Sequence, residues 1–249
     1  MQKDKKRPAV FLDRDGTINE QMGYINHISR FILLPGVAEA IACLNRQRIP
    51  VVVVSNQSGL ARGYFPSQLL DEVHALMQER LRRQGAVLDG IYVCPHHPEA
   101  KEEKYRRNCE CRKPKPGLML QAAAELGLDL ALSYLVGDRW SDLKAAAACG
   151  AKGVLVLTGY GRGDLEYIGP RQSLRPHYVA ENLREAAAWI LDDLAQSRPK
   201  KREREEMQPC EGCGRDFSAS TLAWGQGEGW LCRDCLAESN SCGCEDEER

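Results

Sequence analysis

At 249 residues, 43% of them hydrophobic and with a formal net charge of −1, the chain is long enough to bury one substantial core and to carry a small appendage. A balance so near neutrality excludes a globally basic surface and points to neither nucleic acid nor membrane as the main partner. No apolar run approaches a membrane span, and the apolar stretch behind the basic N-terminus stops at Asp13, too short for a signal-peptide core, so a cytoplasmic protein is expected. In a reducing compartment the eleven cysteines need a use other than disulfides, and their clustering suggests metal.

The first predicted element is the strand Ala9-Val10-Phe11-Leu12, which runs into Asp13-Arg14-Asp15-Gly16-Thr17. Residues two apart in an extended chain point to the same side, so Asp13 and Asp15 repel there, and a cation would relieve the repulsion. Gly16 marks where the chain leaves the strand, and the Thr17 hydroxyl can satisfy turn amides. Val37, Ile41 and Leu44 repeat at helical spacing after Pro35-Gly36. Val51-Val52-Val53-Val54 is a β-branched run without alternation, as a parallel strand covered on both faces requires, and it gives way to the polar loop Ser55-Asn56-Gln57-Ser58-Gly59. Leu69, Leu70, Val73, Leu76, Met77 and Leu81 predict a second amphipathic helix, and Gly90 to Val93 a third strand. Pro116 and Gly127 bracket a helix as first-turn residue and C-terminal stop. Ser133 to Val136 is a fourth strand ending at Gly137-Asp138, a helix runs on to Gly150, Val154 to Leu157 is a fifth strand, and Tyr178-Val179 leads into a last helix through Leu194. This alternation predicts an α/β fold with a doubly wound, mainly parallel sheet. Ligands bind outside the carboxyl ends of such strands, so one rim collects the Asp13 and Asp15 turn, Ser55 and Asp138.

Asp13-Arg14-Asp15-Gly16-Thr17 resembles the signature of the haloacid dehalogenase-like phosphotransferases, and the later landmarks follow in order: Ser55 at a strand end, Lys113 in Cys111-Arg112-Lys113-Pro114, and Asp138. The resemblance implies a phosphatase. Asp13 is the nucleophile that forms an aspartyl-phosphate, Asp15 the general acid and base, Ser55 a hydrogen-bond donor to the transferring phosphoryl group, and Lys113 the cation that neutralises it. Asp13, Asp138 and the Asp15 carbonyl would hold magnesium, a hard ion suited to oxygen ligands. Asp142 acts behind them or caps the helix that starts there, capping being preferred.

Cys94-Pro95-His96-His97 and Cys109-Glu110-Cys111 end a polar loop and offer four soft ligands, the number structural zinc takes. Zinc would fix a stretch with few apolar side chains and seat Lys113 two residues beyond it. His97 competes with His96 as ligand, and the resemblance selects Cys94, His96, Cys109 and Cys111. With Ser55 to Gly63 and Gly23-Tyr24-Ile25, the zinc loop narrows the similarity to the family of heptose bisphosphate phosphatases and histidinol phosphatases, over about residues 8 to 195 and without an obvious cap domain. The resemblance implies a phosphorylated sugar as substrate, with removal of the 7-phosphate of D-glycero-D-manno-heptose 1,7-bisphosphate, in lipopolysaccharide precursor synthesis, ahead of histidinol phosphate or another small phosphomonoester. Gln21, Gly23, Tyr24, Asn56, Gln57, Arg62, Arg112 and Arg139 are the substrate-binding candidates; Arg139 holds a position often taken by Lys, with a different geometry for its charge.

The organisation expected is a phosphatase domain over residues 1–196 containing the zinc loop 94–111, a charged linker over 197–207, and a Cys-rich module over 208–249. In the module, Cys210-x-x-Cys213 and Cys232-x-x-Cys235 have the spacing of a zinc ribbon, with Trp224, Trp230 and Phe217 expected to cover a small core. Cys242-Gly243-Cys244 could join a second metal site, replace a ribbon ligand or form a reactive tail. A reading of another class makes the ribbon a protein-binding module with an accessory phosphatase; the acidic tail speaks against nucleic acid.

Overall fold

The apolar runs assemble into one sheet. The computed structural model of the chain describes residues 6–197, 207–218, 221–225 and 229–239. In it β1 (Val10–Leu12), β2 (Val51–Asn56), β3 (Gly90–Cys94), β4 (Tyr134–Gly137), β5 (Lys152–Val156) and β6 (Tyr178–Ala180) pair in the order β3-β2-β1-β4-β5-β6. Every pairing is parallel, and Val10 lies opposite both Val51 and Tyr134 at the centre. Parallel neighbours need crossovers, which are supplied by α1 (Val37–Arg46), the single turn α2 (Ser58–Ala61), α3 (Ser67–Arg82), α4 (Gly117–Leu126), α5 (Trp140–Ala148) and the short α6 (Gly161–Gly163), while α7 (Leu183–Ser197) follows the last strand of the sheet. The strand order reverses between β1 and β4, the place where an open sheet of this kind leaves a crevice.

Alternate residues of each central strand feed opposite cores. Val10, Leu12, Val51 and Val53 pack with Ile41 and Leu44 of α1, Met77 of α3 and Ile190 of α7. Phe11, Val52 and Val54 pack on the other face with Leu118 and Met119 of α4 and Ala145 and Ala146 of α5. Covering on both faces is why these strands read as unbroken apolar runs.

The structure departs from the sequence pattern in three places. Tyr178-Val179, expected only as a lead-in, belongs to a sixth strand that pairs with β5; three residues on a half-buried edge are too few to show a period. Ser55 and Asn56 extend β2 instead of opening a loop, and Ser58 to Ala61 turn helically. Pro116 stands just before α4 as its cap, while Gly127, at φ 65°, ends that helix as expected.

The chain divides into two compact units, residues 1–197 and 198–249. In the second, β7 (Met207–Pro209) pairs antiparallel with β8 (Asp216–Ser218), β9 (Ala223–Gly225) pairs antiparallel with β10 (Gly229–Leu231), and α8 (Arg233–Ser239) follows. Its buried residues are Cys210, Leu222, Leu231 and Cys232, with Phe217, Cys235 and Leu236 packed against them. Trp224 and Trp230 do not cover that core: they are 63% and 43% exposed and stack edge-on against each other at 5.5 Å. Opposite each other in the register, they share the outer face of the hairpin, while Leu231, one residue on, turns inward. Residues 198–206 of the charged linker, Cys242, Cys244 and the acidic 245–248 stretch lie outside the described residues. Among the described residues, no helix is long and apolar enough to cross a membrane, and the nine cysteines are free thiols.

Asp193 ties α7 to the sheet, taking an ion pair from Lys152 of β5 at 2.5 Å and a hydrogen bond from the Tyr134 hydroxyl of β4. Burial opposes the charged carboxylate, but the hydrogen bonds from Lys152 and Tyr134 and the Lys152 charge outweigh it, and Asp193 titrates below its usual range. A depressed carboxyl contributes stability above its unfolded pKa of about 3.9 and loses it as pH falls through the lower folded value. Asp193→Asn is therefore expected to lower the urea midpoint at pH 7, with the gap to the wild type closing below about pH 4; a gap independent of pH would contradict the linkage.

Candidate active site

Both strands at the reversal end in aspartate. Leu12 is the last residue of β1, and the Asp13 backbone N–H, one step on, donates to Val136 O of β4 at 2.9 Å. Gly137 ends β4 and Asp138 follows, fully buried. Asp13, Asp138 and Asp142 bring one carboxylate oxygen each within 4.8 Å of one another. Lys113 reaches into this cluster: its Nζ lies 2.9 Å from Asp13 Oδ1 and 2.6 Å from Asp142 Oδ1, and it donates to Val54 O at 2.8 Å.

Charge explains the arrangement. Burial pushes Asp13 up to about 6 against the attraction of Lys113, with Asp142 and Asp15 adding repulsion. Burial, and then the Asp13 charge, push Asp138 up to about 8. Burial works against a charged Lys113 too, but Asp13 and Asp142 outweigh it and raise its pKa. Three carboxylates with one ammonium leave room for more positive charge. The donor set fits magnesium, for Asp138 Oδ1 is buried with no hydrogen-bond partner while its Oδ2 accepts from Tyr160 N–H at 2.9 Å. Gly16, at φ 85°, permits the close approach; a Cβ there would fall 2.1 Å from Asp138 Oδ2.

Asp15 is turned away from that cluster. Arg14, only 2% exposed, donates from Nη2 to both Asp15 carboxylate oxygens at 2.8 Å, and Asn19 Nδ2 and Gln57 Nε2 donate at 3.0 and 2.9 Å. Burial alone would raise the Asp15 carboxyl, but Arg14, Asn19 and Gln57 together hold it below its usual range. His74 Nε2 sits 3.4 Å from Arg14 Nη1, and burial, then the Arg14 charge, push its imidazole down to about 4.

Around these residues opens a cleft of about 410 Å³ that Gln21, Gly23, Tyr24, Arg62, Arg112 and Arg139 line together with Asp13, Asp15, Ser55 and Lys113. Arg139 lies over the Tyr160 ring at 4.6 Å, Arg112 Nη1 donates to His96 O at 3.3 Å, and Arg62 Nη2 faces His97 Nε2 at 3.1 Å. Asn56 and Gln57 also line the cleft, and their amides make contacts within the protein. Asn56 clamps the Lys113 backbone, accepting from its N–H at 3.0 Å and donating to its carbonyl at 3.1 Å. Gln57 joins Asp15 to Ser55, donating to Ser55 Oγ at 2.9 Å.

The loop that delivers Lys113 carries the second cluster. Cys94, His96, Cys109 and Cys111 converge within 4.8 Å, with sulfur separations of 3.1–3.4 Å and His96 Nδ1 3.3 Å from Cys111 Sγ. Burial, then Arg107, hold His96 below its usual range, in the neutral form a metal ligand needs. His97 is directed elsewhere, between Arg62 and the Glu99 N–H.

Residues 110–186 match the family model described as HAD-hydrolase-like. The chain is 44% identical over 193 residues to the D-glycero-beta-D-manno-heptose-1,7-bisphosphate 7-phosphatase of Escherichia coli O6:H1, an alignment spanning 77% of this chain and 92% of the relative. The chain belongs to this phosphatase family. The D,D-heptose 1,7-bisphosphate phosphatase of B. bronchiseptica, solved in complex with magnesium and phosphate, superposes with a TM-score of 0.67 at 37% identity, over 75% of this chain and 99% of that one. A HAD-like phosphatase from Mesorhizobium loti gives 0.65 at 34% identity, over 77% and 87%.

Within the family site, sequence reasoning missed Arg14, His74 and Asn19, and offered as alternatives two contacts that Asp142 makes together. Arg14 lies between two aspartates, and alternation aims it away from them; only the turn after β1 brings its guanidinium back onto Asp15. Asp142 does cap α5, accepting from Arg139 N–H at 3.1 Å, and its second oxygen pairs with Lys113. Removing the Asn56 clamp leaves two Lys113 backbone groups without partners, at about 1–3 kcal/mol each. Asn56→Ala is expected to lower the urea midpoint accordingly, and Asn56→Asp, which keeps only the acceptor, to lie between; an unchanged midpoint would return Asn56 to a role in substrate contact alone.

Proposed function

We propose that the chain is a magnesium-dependent phosphatase that removes the 7-phosphate of D-glycero-D-manno-heptose 1,7-bisphosphate through an aspartyl-phosphate on Asp13. The observation that carries the reading is the convergence of Asp13, Lys113 and Asp138 on one point at the mouth of the sheet, where one phosphoryl group can meet a nucleophile, a cation and an unpartnered carboxylate oxygen. Asp13, Asp138 and the Asp15 carbonyl would hold magnesium, which when bound would supply positive charge beside the phosphoryl oxygens. In the first half-reaction Asp13 forms a bond to phosphorus as the bond to the sugar oxygen breaks, and that oxygen takes the proton of a protonated Asp15. In the second, ionised Asp15 takes a proton from water as the water oxygen attacks phosphorus, the bond to Asp13 breaks, and phosphate leaves with both aspartates restored. The arrangement seen here, with Asp15 held ionised by Arg14, suits the second step; proton donation requires Asp15 to exchange Arg14 for the leaving oxygen. Lys113 and Ser55 orient and neutralise the phosphoryl group.

A bisphosphate needs a second anion site, and Arg62, Arg112 and Arg139 around the cleft supply it, with Gln21, Gly23 and Tyr24 toward the sugar. Zinc on Cys94, His96, Cys109 and Cys111 fixes the loop that seats Lys113, a structural role. Cysteines clustered at metal-ligand spacing favour a reducing, cytoplasmic setting.

Asp13→Asn is expected to abolish phosphate release with the circular dichroism spectrum unchanged, and full turnover in that variant would end the proposal. Turnover of the heptose bisphosphate is expected to exceed that of histidinol phosphate, with the 1-phosphate retained in the product by phosphorus NMR; the opposite preference would reassign the substrate. Cys109→Ser is expected to lose one zinc per chain by elemental analysis together with most of the turnover, whereas full turnover without that zinc would contradict a seating role.

A further inference from the structure

The phosphatase reading does not use the second unit, whose described residues hold two further cysteine pairs. Cys210 and Cys213 sit on a tight turn: Cys210 N–H donates to Arg215 O at 2.9 Å, Gly214 N–H donates to Cys210 O at 2.8 Å, and Gly214 takes φ 71°. That turn aims both thiols to one side. Cys232 stands just before α8 and Cys235 in its first turn, with Leu236 N–H bonded to Cys232 O at 2.9 Å. A bond from Glu211 N–H to Trp230 O at 3.0 Å joins the two pieces. The result is four sulfurs within 4.8 Å of one another, with Cys213 and Cys232 4.0 Å apart. A tetrahedron with zinc to sulfur bonds of about 2.3 Å has edges of about 3.8 Å. The backbone at Gly212 passes close to the cluster, where a Cβ would come 3.0 Å from Cys235 Sγ.

Two further observations point to a metal. Among the described residues, the buried core of the unit is Cys210, Leu222, Leu231 and Cys232, less apolar surface than so short a stretch needs to fold unaided. Two donors also face sulfur atoms: Cys232 N–H donates to Cys210 Sγ at 3.1 Å and Arg215 Nε to Cys213 Sγ at 3.4 Å. Thiolates bound to a metal, with more negative charge than the ion neutralises, call for such donors.

We propose that Cys210, Cys213, Cys232 and Cys235 form a tetrathiolate zinc site, distinct from the zinc loop of the phosphatase unit, on which the C-terminal unit folds, and that Arg215 is a positioning residue that offsets its excess negative charge. Four thiolates around one divalent ion leave a net charge of −2, and binding releases the thiol protons to solvent. Arg215, lying over the Phe217 ring at 5.7 Å, is held in place to meet that charge.

The test uses the full chain and counts metal. Elemental analysis is expected to find two zinc per wild-type chain, one after Cys232→Ser with the phosphatase turnover unchanged, and two after Cys43→Ser, a cysteine in neither cluster. Cobalt substitution is expected to give thiolate-to-metal charge-transfer bands that weaken, without vanishing, in Cys232→Ser. One zinc in the wild type, with residues 210, 213, 232 and 235 open to alkylation, would overturn the site; iron there in place of zinc would overturn the choice of metal. Arg215→Ala is expected to keep two zinc but to release the second to a chromogenic chelator about tenfold faster, and Arg215→Lys to restore part of the difference; equal release rates would remove Arg215 from the site. Since the count is independent of catalysis, the site can fail without the phosphatase reading failing, and the reverse.

Discussion

A buried ammonium held between two carboxylates is the constraint on which the catalytic end of the sheet depends. Lys113 comes from a loop rather than a strand, yet its Nζ must meet Asp13 and Asp142 at 2.9 and 2.6 Å inside the protein. Stripping water from three charges is costly, and a buried ion pair is weak evidence for stability. Its use here is geometric: the pair fixes where positive charge stands relative to Asp13, the nucleophile of the proposed reaction. Asp142 joins that fixed point to the first turn of α5 through the Arg139 N–H, so the end of β4, the helix after it and the loop with Lys113 share one electrostatic centre.

Much of the surrounding structure keeps a loop residue as well placed as a strand residue. Asn56 pins the Lys113 backbone from the end of β2, and Val54 O receives its ammonium. The Cys94, His96, Cys109 and Cys111 cluster closes the loop between β3 and Lys113, where apolar side chains are too few to hold it by packing. The proposed zinc would suit that task, because it would replace many weak contacts with four strong ones on fixed positions. The same economy of apolar surface recurs in the C-terminal unit, where four sulfurs converge beside a very small core.

Asp13 and Asp15 divide the labour through their surroundings. One carboxylate is drawn into a crowded anionic cluster and titrates high; the other is neutralised by Arg14 and two amides and titrates low. Two chemically identical groups, two residues apart, thereby titrate in opposite directions, and His74, pushed down by burial and by Arg14, stands against the guanidinium that holds the low one. The difference arises from which way the chain turns after Leu12.

Sequence alone determined five of the six strands of the sheet, the rim and the two cysteine clusters, because these rest on local regularities: unbroken valine runs for strands buried on both faces, carboxylates at strand ends, and paired cysteines at ligand spacing. It also selected Asp13, Ser55, Lys113 and Asp138 in order along the chain. The tertiary structure decided what local pattern cannot carry. β6 is too short to display a period and gained its pairing only from β5; Trp224 and Trp230 lie outside their core because hairpin register, not hydrophobicity, sets their face. The amides of Asn56 and Gln57, the return of Arg14 onto Asp15 and the second partner of Asp142 are contacts between polar atoms 1 to 57 residues apart in the chain. Such partners are chosen by where the backbone brings them in space, a choice that no spacing along the sequence encodes.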